Sequence, residues 1–240
     1  MKQRALEINS DLGEGVLHEE KIIPYIDTAS IACGGHFGNR ESIYQTLNSC
    51  LKSGKKGGAH PSYPDKENFG RRSLSITTEA LIDSIHEQIG LFLEVAKELD
   101  MPMDHIKFHG ALYNDAASQP DLASSLCEYL SNEFPSTTIF VPPFSAMENA
   151  AKENELIIRR EVFGDRAYTD DLQLLSRKEK GAVLTDFESV SEHLQLIIEE
   201  SKIRTISGKL ISVQADTICF HGDNAGILDF LPQIRKKWWT

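Results

Sequence analysis

Short runs of apolar or small residues alternate along this chain with longer segments in which apolar positions recur every three or four residues. Short runs of this kind are typical of strands that are buried on both faces of a sheet. They predict seven strands, at residues 6–9, 28–33, 56–60, 105–109, 138–141, 157–163 and 217–221. A weaker, eighth candidate lies at residues 182–185.

Amphipathic helices are predicted between several of these strands. One begins after the cap candidate Asn39, a second begins after Thr77 or Thr78, and a third follows Ser189. Strand and helix alternating throughout the chain predict a parallel sheet with helices outside it. With seven or eight repeats, an irregular (β/α) barrel is favoured over an open sheet, in a single α/β domain that spans residues 1–240.

The charge balance argues against two classes of partner. The chain has 25 Lys and Arg against 36 Asp and Glu, a formal net charge of −11, whereas nucleic-acid binding requires a basic face. No apolar stretch approaches the ~18 residues of a membrane span, and residues 1–7 lack the apolar segment of a signal peptide. The four cysteines include no C-x-x-C pair, which suits a reducing cytoplasm.

Four histidines lie at the ends of predicted strands, each beside a glycine or proline that ends the strand. They are His36, His60, His109 and His221. The carboxyl ends of parallel strands converge on one rim, where the active sites of α/β folds form. We therefore expect the four imidazoles to meet in one site. The acidic pair that ends the first strand, Asp11 and Glu14, is expected to join them.

The remaining histidines lack this context and are interpreted as solvated or structural. His18 and His105 lie beside predicted loops, while His86 and His193 lie within predicted helices. Cys33 lies next to a glycine pair and close to a strand-end histidine. A buried small residue is favoured over a nucleophile at this position.

Basic residues near the same strand ends supply further candidates. Lys107 lies two positions before His109, so both share one strand face that points into the barrel. A lysine that faces inward needs an anion or a buried partner. Arg71 and Arg72 follow a glycine, where they either grip a carboxylate or phosphate or form a solvated loop pair.

Two other segments leave alternatives open. Asp165 and Arg166 follow the sixth predicted strand, either as part of the site or as a structural ion pair. Trp238 and Trp239, near the C-terminal end, either dock on another subunit or pack on the barrel, and packing is favoured. The sequence contains neither a G-x-x-x-x-G-K-[ST] phosphate-binding loop nor a G-x-G-x-x-G dinucleotide turn.

Taken in order, the motifs around these residues resemble the LamB/YcsF family, the A subunits of 5-oxoprolinase. The matching motifs are D-L-G-E at 11–14, S-I-A-C-G-x-H at 30–36, G-A-H-P-S-Y-P-D at 58–65, F-G-R-R at 69–72, K-x-H-G-A-L-Y-N at 107–114, E-V-F-x-D-R-x-Y at 161–168 and C-x-H-G-D-N at 219–224. The resemblance spans nearly the whole chain. Packing neighbours such as Gly35, Phe108 and Ala225 depart from the family pattern.

The resemblance implies a barrel similar to the glycoside hydrolase/deacetylase group and an ATP-dependent opening of 5-oxoproline to glutamate, with separate B and C subunits. Asp11, or a histidine that it orients, would act as general base, with His60 and His109 as further groups for proton transfer. Lys107 would stabilise developing negative charge or phosphate. The expected substrate-binding residues are Glu14, His36, Arg71, Arg72, Asp165, Arg166, His221 and Asp223.

Two other functions use the same rim. A metal-dependent amide hydrolase or deacetylase would use Asp11, His36 and His60 as ligands, with one coordination position open. A non-catalytic protein that binds a lactam or sugar would need no turnover, although binding alone rarely needs four imidazoles. A homodimer is also left open.

Overall fold

Parallel strands close into a barrel in the computed structural model, which describes residues 6–239. The first six are β1 (Glu7–Leu12), β2 (Thr28–Ala32), β3 (Lys56–His60), β4 (Met103–Ile106), β5 (Thr138–Val141) and β6 (Ile158–Phe163). After them, β7 (Lys202–Arg204) and β8 (Leu210–Ser212) pair only with each other, as an antiparallel hairpin. The last strand, β9 (Thr217–Cys219), closes the barrel between β6 and β1. The prediction of a (β/α) barrel is confirmed, with seven strands in the barrel of the described chain.

Helices pack around the barrel between successive strands. They are α1 (Arg40–Lys52), α2 (Thr78–Glu98), α3 (Gly110–Ser118), α4 (Pro120–Glu133), α5 (Ala146–Glu153), α6 (Phe187–Glu200) and α7 (Ile227–Trp238), with short 3-10 turns at Glu19–Lys21 and Ile23–Tyr25. Over residues 6–239, none of these helices combines the length and the apolar character that crossing a bilayer requires. Residues 1–5, where the sequence predicts no signal peptide, and Thr240 lie outside the described residues.

Polar caps determine where three of the helices begin. The Asn39 side chain accepts a hydrogen bond from the Ser42 N–H, and the Ser42 hydroxyl accepts one from the Asn39 N–H, which together form a capping box on α1. Thr77 caps α2, as predicted. Helix α6 begins earlier than predicted, because Asp186 is its cap and accepts from the Ser189 N–H at 2.8 Å.

Several strand predictions differ from the structure: β4 covers residues 103–106 and not 105–109, β9 ends at Cys219 and not at residue 221, and the β7–β8 hairpin was not predicted. Strand β1 continues to Leu12, so Asp11 lies within the strand and not after it. The eighth strand at residues 182–185 was wrong: only Val183 makes an isolated antiparallel bridge, to Arg166. The apolar run lies in the long connection between β6 and α6, where it packs back on the start of that connection and leaves the barrel closed without it.

The C-terminal tryptophans pack on the barrel, the alternative that the sequence analysis favoured. Trp238 and Trp239 contact the hydrophobic core, and the Trp239 indole N–H donates to the Leu6 carbonyl. Arg235, on the same helix, forms an ion pair of 2.8 Å with Asp27. These contacts hold the end of the chain against the start of β1.

The interior of the barrel is polar, whereas most such barrels are filled by layers of branched apolar residues. Lys107, directly after β4, contacts Asn9 in β1, and because these strands are not neighbours the contact crosses the interior. Ser30 in β2 lies 2.9 Å from the imidazole of His105 in β4, and both are fully buried. This buried polar network continues to the carboxyl ends of the strands.

We predict that Gly58 in β3 tolerates no side chain. A Cβ at this position would lie 2.5 Å from the His105 carbonyl oxygen, where the register between β3 and β4 shifts. We expect Gly58→Ala to lower the free energy of unfolding by about 1–3 kcal/mol, measured by urea denaturation. Gly90→Ala is the control, because nothing lies within 4 Å of the added methyl group and alanine favours a helix. Equal stability of the two variants would contradict the prediction.

Candidate active site

A cavity of about 460 Å³ opens at the carboxyl ends of the barrel strands. This volume lies within the usual range for sites that bind small molecules. The polar lining comes from residues at or just after the ends of different strands, as a parallel barrel requires. Its ionisable groups are Asp11, Glu14, His60, Arg71, Lys107, His109, Tyr113, Arg166, Arg177, Lys178, His221 and Asp223.

The buried ammonium of Lys107 links three strands on the far side of the barrel. Its Nζ donates to Asp11 Oδ1 at 2.7 Å and to Asn9 Oδ1 at 3.3 Å, and it lies 2.9 Å from Glu161 Oε1 and 3.2 Å from Cys219 Sγ. Burial lowers the pKa of Lys107, but the neighbouring carboxylates, Asp11 above all, hold its pKa well above the usual value. The lysine is therefore charged.

Three imidazoles and one carboxylate form a tight group beside this lysine. Glu14 Oε1 lies 3.0 Å from His36 Nε2, 3.2 Å from His109 Nδ1 and 3.9 Å from His60 Nε2. The inner nitrogens of His60 and His109 are 3.0 Å apart. One ligand atom from each residue lies within 4.8 Å of all the others, so the group could hold a metal ion. All four side chains are buried.

Backbone carbonyls fix the orientation of two of these imidazoles. His60 Nδ1–H donates to the Lys107 carbonyl at 2.8 Å, and His109 Nε2–H donates to the Phe69 carbonyl at 3.0 Å. A carbonyl oxygen only accepts, so these bonds place a proton on each outer nitrogen, and in a neutral ring the lone pair is then on the inner nitrogen. Phe69 has a φ of 56°, a left-handed conformation that is rare for an aromatic residue and is often found at functional sites.

The loop that carries Phe69 is held against the start of α3 by two glycines. Gly70 and Gly110 have φ values of 62° and 57°, which glycine adopts without steric cost. A Cβ on Gly110 would lie 2.6 Å from the Gly70 carbonyl oxygen, and a Cβ on Gly70 would lie 2.9 Å from His36 Cβ. The Ala111 N–H donates to the Gly70 carbonyl at 2.9 Å. The two glycines therefore allow the close approach that holds the imidazoles together.

Charge partners keep both carboxylates of the site ionised. Burial raises the pKa of Asp11, but Lys107 and a neighbouring histidine hold its pKa well below the usual value. Burial also raises the pKa of Glu14, and the neighbouring imidazoles of His109 and His36 more than reverse this effect. Burial lowers the pKa of His36 to about 4 and lowers that of His109, so both imidazoles are neutral at neutral pH.

Two arginines at the cavity mouth flank one carboxylate. Arg71 Nη2 and Arg177 Nη1 lie 2.7 Å and 2.6 Å from Asp223 Oδ2, and the Arg71 guanidinium lies 4.9 Å from the centre of the Phe69 ring. Five cationic side chains and three carboxylates line the cavity, although the whole chain carries a net charge of −11. This distribution suits an anionic ligand at the mouth.

A third part of the lining is ordered by a buried aspartate. His221 Nδ1 donates to Asp165 Oδ1 at 2.8 Å, and its ring stacks on Phe163. Burial raises the pKa of Asp165, but His221 and further hydrogen bonds hold its pKa below the usual value. Arg166 lines the cavity and donates to two carbonyls of the loop that follows. Asp165 therefore orients His221, while Arg166 ties down the loop.

The structure brings most of the residues predicted from the sequence to one cavity, with three exceptions. His36 and Asp165 are buried and contact lining residues from outside the cavity, whereas Arg72 is exposed and does not line it. Asp11, which the sequence analysis placed in the alternative metal set, pairs with Lys107. The ligand atoms that do group together come from Glu14, His36, His60 and His109.

Sequence reasoning missed three residues of the site. Arg177 lies in a charged run that is typical of a solvated loop, and only the folding of the β6–α6 connection brings it to the cavity. Glu161 could have been identified from the sequence, because it lies in a predicted buried strand, on the same face as Phe163. A glutamate in such a strand needs a polar partner. Asn9 could have been identified in the same way, because it is a polar residue in a buried strand and shares a strand face with Asp11, two positions later.

The remaining histidines and Cys33 lie outside the cavity. His105 lies within β4, not beside a loop, and is buried with its ring hydrogen-bonded to neighbouring side chains. His193 donates to a backbone carbonyl from within α6, whereas His18 and His86 are exposed. Burial raises the pKa of the Cys33 thiol to about 12, so it stays protonated and is a poor nucleophile.

Fold and site together define a class of protein: a parallel (β/α) barrel with a small-molecule cavity at the carboxyl ends of its strands. The family model described as LamB/YcsF family matches residues 6–239, and the chain belongs to this family. The family resemblance found in the sequence motifs is thereby confirmed.

Curated relatives and a solved structure are similar over almost the whole chain. A protein named as the A subunit of 5-oxoprolinase, from Campylobacter jejuni subsp. doylei, is 41% identical over 238 residues, covering 97% of this chain and 93% of the relative. One of the same name from Erwinia tasmaniensis is 34% identical over 233 residues, covering 97% and 95%. The crystal structure of a lactam utilization protein from Thermus thermophilus has a TM-score of 0.89 and 29% identity, covering 97% and 95%.

We predict that His36 makes the fold sensitive to acid. Its pKa of about 4 in the folded chain lies below the ordinary value of about 6.5, so protons bind preferentially to the unfolded chain as the pH falls. The neutral imidazole contributes fully to the free energy of unfolding above pH ~6.5. About 2 kcal/mol of this contribution is lost between pH 7 and pH 5. Urea denaturation in the presence of a chelator measures this slope.

The variant His36→Gln should show a shallower loss of stability over the same pH range. His86→Gln is the matched control, because His86 is exposed on α2 and should leave the slope unchanged. Parallel slopes for the His36 variant and the unmodified chain would contradict this prediction.

Proposed function

We propose that this protein is the A subunit of an ATP-dependent 5-oxoprolinase, which opens the lactam ring of 5-oxoproline to L-glutamate together with separate B and C subunits. The names of its relatives, at 34–41% identity, support this proposal. The observation that carries it is the cavity itself. An acid–ammonium pair lies in the buried part of that cavity, and two arginines flank its mouth.

The chemistry explains why ATP is required. A five-membered lactam is an amide, and resonance makes its carbonyl carbon a poor electrophile. Transfer of the γ-phosphoryl group of ATP to the carbonyl oxygen releases ADP and turns that oxygen into part of a leaving group. Water then adds to the ring carbon and the carbon–nitrogen bond breaks, which leaves an acyl phosphate of glutamate. A second water molecule hydrolyses this acyl phosphate to L-glutamate and inorganic phosphate. We assign most of the nucleotide chemistry to the partner subunits, in line with a sequence that lacks a P-loop motif.

Asp11 and Lys107 are the proposed centre of the ring-opening step. Asp11 is ionised, lines the cavity and accepts from Lys107 at 2.7 Å, so it can take a proton from water. Lys107 stabilises negative charge that develops on the phosphorylated carbonyl group. When the Lys107 ammonium interacts with that charge, its hydrogen bond to Asp11 weakens. The pKa of Asp11 then rises, so the carboxylate is a stronger base as water is deprotonated.

His60 and His109 are the proposed groups for proton transfer to the departing ring nitrogen. Their inner nitrogens carry lone pairs, and His60 Nε2 lies 3.5 Å from Asp11 Oδ2. A proton taken from water by Asp11 can therefore pass to an imidazole. Glu14 lies on the other side of the two rings, with its Oε1 3.2 Å from His109 Nδ1.

The substrate carboxylate is proposed to bind at the cationic mouth. Arg71 and Arg177 both contact Asp223, and a substrate carboxylate would compete with Asp223 for their N–H donors. His221 lines the same cavity. Arg72, the alternative to Arg71 in the sequence analysis, is exposed outside the cavity lining.

We further propose that the chain forms one domain and acts in the cytoplasm. All described strands of the barrel and the helices around it share one hydrophobic core cluster. The four cysteines are free and buried, which supports a reducing compartment.

We predict that Asp11→Asn lowers kcat for ring opening at least a hundredfold in a mixture of the purified chain with its B and C subunits, 5-oxoproline and ATP. Glutamate release measures the rate, and circular dichroism checks that the variant is folded, because the substitution also removes a charge partner of Lys107. Asp121→Asn, in the first turn of α4, is the control. Full activity of the Asp11 variant would reject this base, and binding of 5-oxoproline without turnover in any mixture would favour the non-catalytic alternative.

Arg177→Ala is expected to raise KM for 5-oxoproline roughly ten- to a hundredfold with a smaller effect on kcat, because one charged hydrogen bond to the substrate carboxylate is lost. The matched control is Arg72→Ala, which removes an exposed guanidinium without changing the cavity lining. Steady-state kinetics of the reconstituted enzyme measure both constants. An equal rise in KM for the two variants would contradict this assignment.

A further inference from the structure

We infer that Glu14, His36, His60 and His109 bind one divalent transition-metal ion, with Zn²⁺ as the ion that best fits the ligand set. The inference rests on the geometry of these four residues, and the proposed ring opening does not require it. The donor atoms are buried and lie within 4.8 Å of one another. Proximity alone is weak support, so the hydrogen bonds that orient each ring are decisive.

The hydrogen bonds leave a group of electron pairs that face each other without a donor. His60 Nδ1 and His109 Nε2 donate to backbone carbonyls, so in the neutral form of each ring the lone pair lies on His60 Nε2 or His109 Nδ1. These two atoms are 3.0 Å apart, and Glu14 Oε1 lies 3.2 Å from the second of them. Three acceptors around one point repel each other unless a cation lies between them.

The spacing of these atoms agrees with coordination to a single ion. Zinc binds imidazole nitrogen and carboxylate oxygen at about 2.0–2.2 Å, which separates neighbouring ligand atoms of a tetrahedral site by about 3.3 Å. Three separations are close to this value: 3.0 Å between His60 and His109, 3.0 Å between His36 and Glu14, and 3.2 Å between His109 and Glu14. His60 and Glu14 are farther apart, at 3.9 Å, and all the ligand atoms lie within 4.8 Å of one another. Small side-chain adjustments would therefore complete the coordination.

Second-shell contacts of the kind that support metal ligands are already present. A metal-bound imidazole usually donates its other ring N–H to a carbonyl or carboxylate, as His60 and His109 do here. His36 differs, because its buried Nδ1 has no hydrogen-bond partner among the described residues. Its Nε2 faces Glu14, and its ring stacks on that of His109 at 3.6 Å, an arrangement that disfavours two charged rings.

The charge balance of the buried region also favours a cation. Asp11, Glu14 and Glu161 are three buried carboxylates, and the only ammonium that contacts any of them in the described chain is that of Lys107. A divalent ion beside Glu14 would compensate the remaining negative charge. Imidazole-rich ligand sets select zinc and its neighbours in the transition series over magnesium or calcium, which prefer oxygen.

A bound ion would change the roles of the residues around it. His60 and His109 would then be ligands and not proton carriers, and Asp11, 3.5 Å from His60 Nε2, would lie next to the ion as the base. Metal binding would also require neutral imidazoles, so affinity should fall in acid.

The test uses the full chain alone, without partner subunits or lactam. After removal of metal with a chelator, titration with Zn²⁺ in a calorimeter should show one ion per chain, and Zn²⁺ should raise Tm. Co²⁺ should give the intense visible absorption of a tetrahedral site. Glu14→Gln and His109→Gln should each lower Zn²⁺ affinity at least tenfold, and circular dichroism checks that both are folded. The isosteric Glu14→Gln keeps the test decisive if the histidine variant is unstable.

His221→Gln is the matched control, because His221 is a cavity histidine outside the proposed ligand set and its loss should leave Zn²⁺ affinity unchanged. Absence of stoichiometric binding by the folded, stripped chain would overturn the inference and indicate a single proton shared between His60 and His109. Equal affinity of the Glu14 variant and the unmodified chain would overturn it as well. Metal binding without ring opening in the reconstituted mixture would instead count against the proposed reaction alone.

Discussion

The ammonium of Lys107 inside the barrel is the interaction on which the rest of the structure depends. It contacts Asp11 and Asn9 in β1, Glu161 in β6 and Cys219 in β9, so one side chain links strands across the interior. Leaving a buried ammonium without partners costs several kcal/mol, whereas the barrel surrounds this one with acceptors. The interior must therefore be polar, and the site is the continuation of this network to the mouth.

That constraint divides the cavity into two regions of different chemistry. The buried region holds ionised carboxylates, one ammonium and neutral imidazoles, which suits proton transfer and the binding of a cation. The mouth holds Arg71 and Arg177 around Asp223, which suits the carboxylate or phosphate of a ligand. A small anionic ligand could span the two, with its charged group at the mouth and its other end next to Lys107. The site therefore supports an enzyme more readily than a simple binding protein.

Much of the fold and part of the site could be predicted from sequence. Local pattern predicted the strands, because the side chains of a buried strand must be apolar or small over its whole length, and strands β3 and β5 match their predicted bounds. The segment at 182–185 has the same local pattern, yet its hydrogen bonds go to the preceding loop. Arg177 is the opposite case, since its charged surroundings gave no sign that the β6–α6 connection folds over the cavity.

The sequence by itself determined a (β/α) barrel and the convergence of His36, His60, His109 and their acidic neighbours, because parallel strands carry residues that follow them to the same rim. Only the tertiary structure decided which acid meets which base. Asp11 pairs with Lys107 while Glu14 lies among the histidines, because the partners of these two carboxylates come from different parts of the chain and meet them only in the folded barrel. The tertiary structure also decided which ring nitrogens of His60 and His109 donate a hydrogen bond. The carbonyls that accept these bonds come from residues that are distant in the chain and close only in the folded barrel.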